Sequence, residues 1–100
     1  MIERNRFTNV VDTLASAKAS MRCQDMVTAL ESLGFEVRDG KKQGHKLLMH
    51  GGIPGFLSAG FTCGHGRNPE IKPVYVNNIR RLLLRYETEI LRFLETRHEH

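Results

Sequence analysis

The chain contains no tryptophan, and aromatic residues make up only 7% of its 100 positions. Proteins that grip single-stranded nucleic acid do so largely by stacking bases on aromatic rings, so this composition disfavours a stacking platform. Cysteine is as scarce. Cys23 and Cys63 are two and far apart, too few for the disulfide framework of a small secreted protein, and both are expected as reduced cytosolic thiols. No window approaches the roughly 18 consecutive apolar residues of a membrane span. The first residues, MIERNRFTNV, carry charge but no apolar core of a signal peptide. A cytoplasmic protein without a membrane partner is expected. Neither G-x-x-x-x-G-K-[ST] nor G-x-G-x-x-G occurs, which argues against nucleotide hydrolysis. The acids Asp12, Asp25, Glu31 and Asp39 are scattered, so no carboxylate dyad or two-metal site is indicated.

What is present suits one small core. With 100 residues at 40% hydrophobic content, residues 1–100 are expected to form a single domain. Phe7, Val10, Val11, Leu14 and Ala15 recur at helical spacing and predict a first helix to about Ala19. Ser20 is placed to cap a second helix carrying Met26, Val27, Leu30 and Leu33, which Gly34 stops. The period then changes. Phe35 to Arg38 alternates, Asp39-Gly40 marks a turn, and His45 to His50 supplies the second strand of a hairpin. Phe61 to Cys63 is a candidate third strand, followed by a long loop, CGHGRNPEIKP. Pro73 opens a last helix whose stripe runs through Val76, Ile79, Leu83, Tyr86, Ile90 and Phe93 or Leu94. The order helix, helix, strand, strand, strand, helix predicts an α+β sandwich, with helices packed on one face of a small antiparallel sheet.

Charge and histidine concentrate in the strand region. Lysine and arginine number 15 against 11 acids, a net charge of +4. Residues 34–75 hold the largest basic surplus, together with His45, His50 and His65. Lys41 and Lys42 at the hairpin tip and Lys46 beyond it fit either a solvated tip or a phosphate-holding cluster. On a two-residue period His45 shares an apolar face with Leu47 and Met49, while Lys46, Leu48 and His50 point the other way. Two readings of His45 stay open: a hydrogen-bonded residue at the edge of the core, or a group that moves a proton at a ribose 2′-hydroxyl while Lys41, Lys42 and Lys46 hold the phosphate. His50, Cys63 and His65 offer metal-ligand types, but they make only one close pair and match no common zinc spacing, so no metal is expected.

Two segments carry a family likeness. DMVTALESLGFEVRDGKKQGHKLLMH resembles the core of HicA-type toxins, where a helix ending in Leu-x-x-x-Gly-Phe leads into a hairpin whose second strand begins at a histidine. FTCGHGRNPEIKPVYVNNIRRLLLRY is similar to the C-terminal half of a longer branch of that family, with its G-x-N-P-x-x-K-P loop. The resemblance covers roughly residues 20–90, and divides the chain into an N-terminal helical extension over 1–19 and a core over 20–96. It implies a fold of the double-stranded-RNA-binding type. It also implies the toxin of a type II toxin–antitoxin system: a metal-independent endoribonuclease that cleaves mRNA with one catalytic histidine, His45, needs no cofactor, and is silenced by a HicB-type antitoxin. Where the family commonly has G-S-H-H, this chain has Q-G-H-K, so Gly44 replaces the serine and Lys46 the second histidine. Composition alone leaves two alternatives standing, a non-catalytic RNA-binding domain and an interaction module for an acidic partner.

Overall fold

The computed structural model describes residues 2–17, 21–56, 58–64, 66–67 and 69–98. Helix α1 (Ile2–Ser16) buries Phe7, Val10 and Leu14 against the C-terminal helices. Strand β1 (Met21–Arg22) then runs directly into helix α2 (Cys23–Ser32), which buries Cys23, Met26 and Leu30. Strands β2 (Glu36–Asp39), β3 (His45–Met49) and β4 (Ala59–Thr62) follow, then β5 (Glu70–Ile71) and helices α3 (Pro73–Arg85) and α4 (Glu87–His98). Among the described residues no helix is long and apolar enough to cross a membrane.

The three central strands form an antiparallel sheet in the order β2-β3-β4. Its pairing places Val37 opposite Leu48 and Leu48 opposite Ala59, so these three share a face. That face is the inner one. Leu48 and Phe61 are buried there, joined by Met26, Leu30, Ile71, Val76, Leu83 and Ile90 in one apolar cluster. The helices close this side, and the opposite side, with Arg38, His45, Leu47, Gly60 and Thr62, has no covering helix or strand among the described residues. An α+β domain of four helices and small antiparallel sheets is therefore present.

Several sequence expectations need correction. Cys23 and Cys63 are not free thiols. They are joined in a disulfide across 40 residues of chain, with Cα atoms 5.7 Å apart. Counting cysteines reveals nothing of their distance in space, and the fold brings the start of α2 beside the end of β4. The second helix starts at Cys23 with Arg22 in the capping position and no side-chain cap. The expected cap, Ser20, lies outside the described residues. The N–H of Cys23 donates to the carbonyl of Pro69 at 2.8 Å, which satisfies one of the donors a cap would otherwise serve.

The segment expected as a long loop contains β5, which pairs with β1 through Met21–Ile71 and Arg22–Glu70. Cys63 also bridges to Ile71. The single last helix is two helices, broken at Tyr86, whose φ of −104° and ψ of 20° leave the helical region. The apolar stripe reads straight through because the break adds no residue to the period. Tyr86 instead turns its ring edge-on to Phe56, centroids 5.3 Å apart, and α4 brings Phe93 against His50. Glu87 and Glu89 fall in the first turn of α4, where carboxylates meet the positive end of the helix dipole.

Gly34 ends α2 as expected, at a φ of 92°. A β-carbon there would stand 2.3 Å from Phe93 Cε2 and 2.9 Å from His50 Nε2. Gly34→Ala should therefore lose about 2–5 kcal/mol, combining left-handed backbone strain with overpacking. Urea denaturation checks this; a loss under about 1 kcal/mol would show that the contact between Gly34 and α4 is slack.

Candidate functional site

The β2–β3 hairpin is closed by five residues, Gly40 to Gly44. Gly40 N–H donates to the His45 carbonyl at 2.7 Å, and His45 N–H donates to the Lys42 carbonyl at 3.1 Å. Both backbone groups of His45 are thus used inside the hairpin, which fixes its Cα at the first position of β3. Across the sheet His45 pairs with Thr62 of β4. The chain turns into β3 at Gly44, with a φ of 82°, and the N–H of Cys63 donates to the Gly44 carbonyl at 2.7 Å. A β-carbon on Gly44 would come within 2.5 Å of the Cys63 carbonyl oxygen. Only glycine suits this backbone and this approach.

Two further glycines make room for the imidazole. A β-carbon at Gly40 would lie 2.4 Å from His45 Cδ2, and one at Gly60 would lie 3.1 Å from Cε1. The ring therefore spans two bare stretches of backbone on the open side of the sheet. It is half-buried, not a core residue, and among the described residues neither ring nitrogen has a hydrogen-bond partner. Around it lies a shallow groove of 570 Å³ lined by Gly40, Lys41, Lys42, Leu47 and Thr62 as well as His45 itself. Lys41 and Lys42 are exposed, and no acid among the described residues pairs with them. The apolar face on which His45 was placed is the solvent face; Leu47, 37% exposed, shares it.

Lys46 leaves β3 on the face opposite to His45, forms an ion pair with Asp39, and lines a second groove with Cys23, Gln24, Gln43, Gly44 and Cys63. A third groove, of 450 Å³ at the hairpin tip, is lined by Lys41, Lys42, His45 and Lys46 together. The three lysines expected around one phosphate therefore border one groove, with Lys46 alone among them paired to an acid among the described residues.

His50 sits five residues on and turns inward, 5% exposed. Gly52 N–H donates to its Nδ1 at 3.1 Å, so Nε2 carries the proton and donates to the Leu33 carbonyl at 3.0 Å. Phe35 and Phe93 meet its ring edge-on at 4.7 and 4.6 Å. His50 is a structural pin between the end of α2, the end of β3 and α4. Of the metal-ligand types considered, Cys63 is in the disulfide, both nitrogens of His50 are engaged, and His65 lies outside the described residues. No group of three metal-binding side chains occurs among the described residues. The disulfide and the glycine cradle are what sequence reasoning missed; Gly40 and Gly60 acquire meaning only once the strands are paired in register.

Comparison with family models, with curated proteins and with solved structures returns no match. The function has to be argued from the site itself.

Burial lowers the pKa of His50 below the ordinary histidine value, and the hydrogen bond to Leu33 only partly opposes this. The folded chain therefore binds this proton at lower pH than the unfolded chain does. Stability should be complete above the unfolded value of about 6.5, decline as pH falls below it, and stop declining once the folded-state pKa is passed. Denaturation midpoints of wild type and His50→Gln from pH 8 to 5 measure the contribution. Parallel curves would remove His50 as its source. Gly44→Ser should cost on the order of 1–3 kcal/mol through the strain of a left-handed backbone. A serine variant as stable as wild type would show that Cys63 yields.

Proposed function

We propose that the protein is a metal-independent endoribonuclease acting through His45, the toxin member of a toxin–antitoxin pair. The observation that carries this reading is the placement of the imidazole. It lies in an open groove with both nitrogens unengaged among the described residues, beside two exposed lysines without acidic partners. Histidine is the side chain best suited to exchange a proton at neutral pH. A phosphodiester laid along the groove would bring its charge to Lys41 and Lys42 and its ribose to His45. His45 then takes the 2′-hydroxyl proton as that oxygen attacks phosphorus, and the lysines offset the charge building on the phosphoryl oxygens. The P–O bond to the 5′ oxygen of the next nucleotide breaks, that oxygen takes a proton from water or from the protonated imidazole, and a 2′,3′-cyclic phosphate is left. Lys46, which borders the same hairpin-tip groove and is paired with Asp39, would add a further phosphate contact on releasing that acid.

The order of α2, β2, β3, β4 and, after the short β5, α3 is similar to that of a double-stranded-RNA-binding domain, a likeness that favours recognition by backbone shape over base identity. The likeness of residues 25–50 and 61–86 to HicA-type toxins supports the same reading, and with it a cytoplasmic setting, mRNA as substrate and a HicB-type antitoxin. Such an antitoxin fits the open face. Leu47 gives it an exposed apolar contact beside the lysines, and an acidic surface laid there would cover His45 as it binds.

His45→Ala should reduce RNA cleavage by about 10²–10⁴-fold, the contribution of a general acid–base group, with an unchanged circular dichroism spectrum. Lys41→Glu/Lys42→Glu should weaken RNA binding and reduce its salt dependence. Cleavage of a defined RNA oligonucleotide with added chelator, and growth on induction in a bacterial host, provide the measurements. Equal cleavage by wild type and His45→Ala would end the proposal. RNA binding without cleavage by wild type would favour a non-catalytic RNA-binding domain.

A further inference from the structure

We propose that the Cys23–Cys63 disulfide is a redox-controlled positioning device for His45. The proposal rests on His45 being the acting group and adds the control of that site. Cys63 ends the strand that faces His45 across the sheet. Its N–H holds the Gly44 carbonyl at 2.7 Å, and its own carbonyl lies so close to Gly44 that a β-carbon would stand 2.5 Å away. Gly44 is bonded directly to His45. The backbone of Cys63 is thus the strut against which the residue before the histidine is set.

The disulfide decides where that strut stands. It fastens Cys63 to the first residue of α2, whose N–H is in turn tied to Pro69. The neighbouring ties are short: Gly64 N–H to the Glu70 carbonyl at 2.9 Å, and two-residue strands β1 and β5. To the β3–β4 pairing and these few hydrogen bonds the disulfide adds the one covalent restraint on Cys63, and the one that a reductant removes. Its cutting loosens the contact of Cys63 with Gly44, and His45 shifts on a hairpin that stays paired.

The link is also placed to be cut. Cys23 and Cys63 are 7% and 3% exposed, and both line the second groove beside Gln24, Gln43, Gly44 and Lys46, which is the side from which a small thiol would approach them. A thiolate of a dithiol reductant attacks Cys63 Sγ, and the S–S bond breaks with Cys23 leaving as thiolate. The partial positive charge at the start of α2 favours that departure. The second thiol of the reductant then displaces Cys63 and closes its own disulfide. Two electrons pass to the cysteine pair, two protons end on the two sulfurs, and the dithiol leaves oxidised. In a reducing compartment a disulfide is characteristically transient or redox-sensing. The oxidised chain is the form with His45 in place.

The test compares oxidised wild type, wild type in excess dithiothreitol, and Cys23→Ser, which removes the link and keeps the Cys63 backbone. By NMR, reduction and Cys23→Ser should both shift the His45 ring resonances and speed exchange of the Cys63 amide tenfold or more. The amides of Leu14 in α1 and Ile90 in α4 should stay protected. Cleavage of an RNA oligonucleotide should fall on the order of tenfold to a hundredfold in both, as expected when a reacting group is displaced by about an ångström, and reoxidation should restore the wild type alone. Unchanged His45 resonances and Cys63 exchange would overturn the proposal. So would loss of protection throughout the chain, which would make the disulfide a staple for the whole fold. Cleavage by neither redox state would count against the ribonuclease reading, and the spectra would then decide the positioning claim on their own.

Discussion

Strand β3 has to face two environments at once, and the rest of the molecule is arranged around that constraint. Leu48 and His50 enter the core, while His45 and Leu47 stay on the solvent side. A shift of one residue in pairing would exchange the two sets, burying His45 and exposing Leu48. Register is therefore held from both flanks. β2 pairs Val37 with Leu48, β4 pairs Thr62 with His45, and the helices press only on the inner side. One-sided burial makes the register costly to lose, and in doing so it places an imidazole on the outside.

The two histidines of this strand show how environment divides one residue type into two roles. His50 has a donor at Nδ1, an acceptor at Nε2 and aromatic edges on both faces, so its ring is fixed and its neutral form favoured. His45 has glycine backbone where His50 has phenylalanine. Gly40 and Gly60 expose the imidazole not through a deep pocket but by withholding the side chains that would cover it. A groove of this kind suits an extended polymer better than a small molecule, which binds most tightly when most of its surface is enclosed.

Much of this was legible in the sequence, for reasons that can be assigned. The stripes Phe7-Val10-Leu14 and Val76-Ile79-Leu83 are local patterns, and they mark α1 and α3. Gly34 and the alternation from Phe35 onward locate the change from helix to strand within a residue. Phe61 and Cys63 point to β4, although the strand begins two residues earlier at Ala59. What was illegible depends on contacts distant in sequence. The Cys23–Cys63 pair, the β1–β5 ladder and the approach of Cys63 to Gly44 all join residues that have no pattern in common. The break at Tyr86 is an intermediate case. Its apolar period hides it, yet Arg85 followed by Glu87 and Glu89 is the charge order of one helix ending and another beginning. Alternation did separate His45 from Lys46, but it could not say which side was the core, since Leu47 with Met49 and Leu48 with His50 look equally apolar.

Ion pairing divides the charge at the hairpin. Lys46 is offset by Asp39, while Lys41 and Lys42 at the tip have no acidic partner among the described residues. Both of these are mobile in reach, because a lysine carries its ammonium on a four-carbon stem. They can follow a phosphate as it changes geometry without being locked to the ring. The open face thus combines one fixed group, held by the backbone at Gly40, Gly44 and Thr62, with two long-reaching cations. That division sets a ring whose position the backbone fixes beside cations whose reach adjusts.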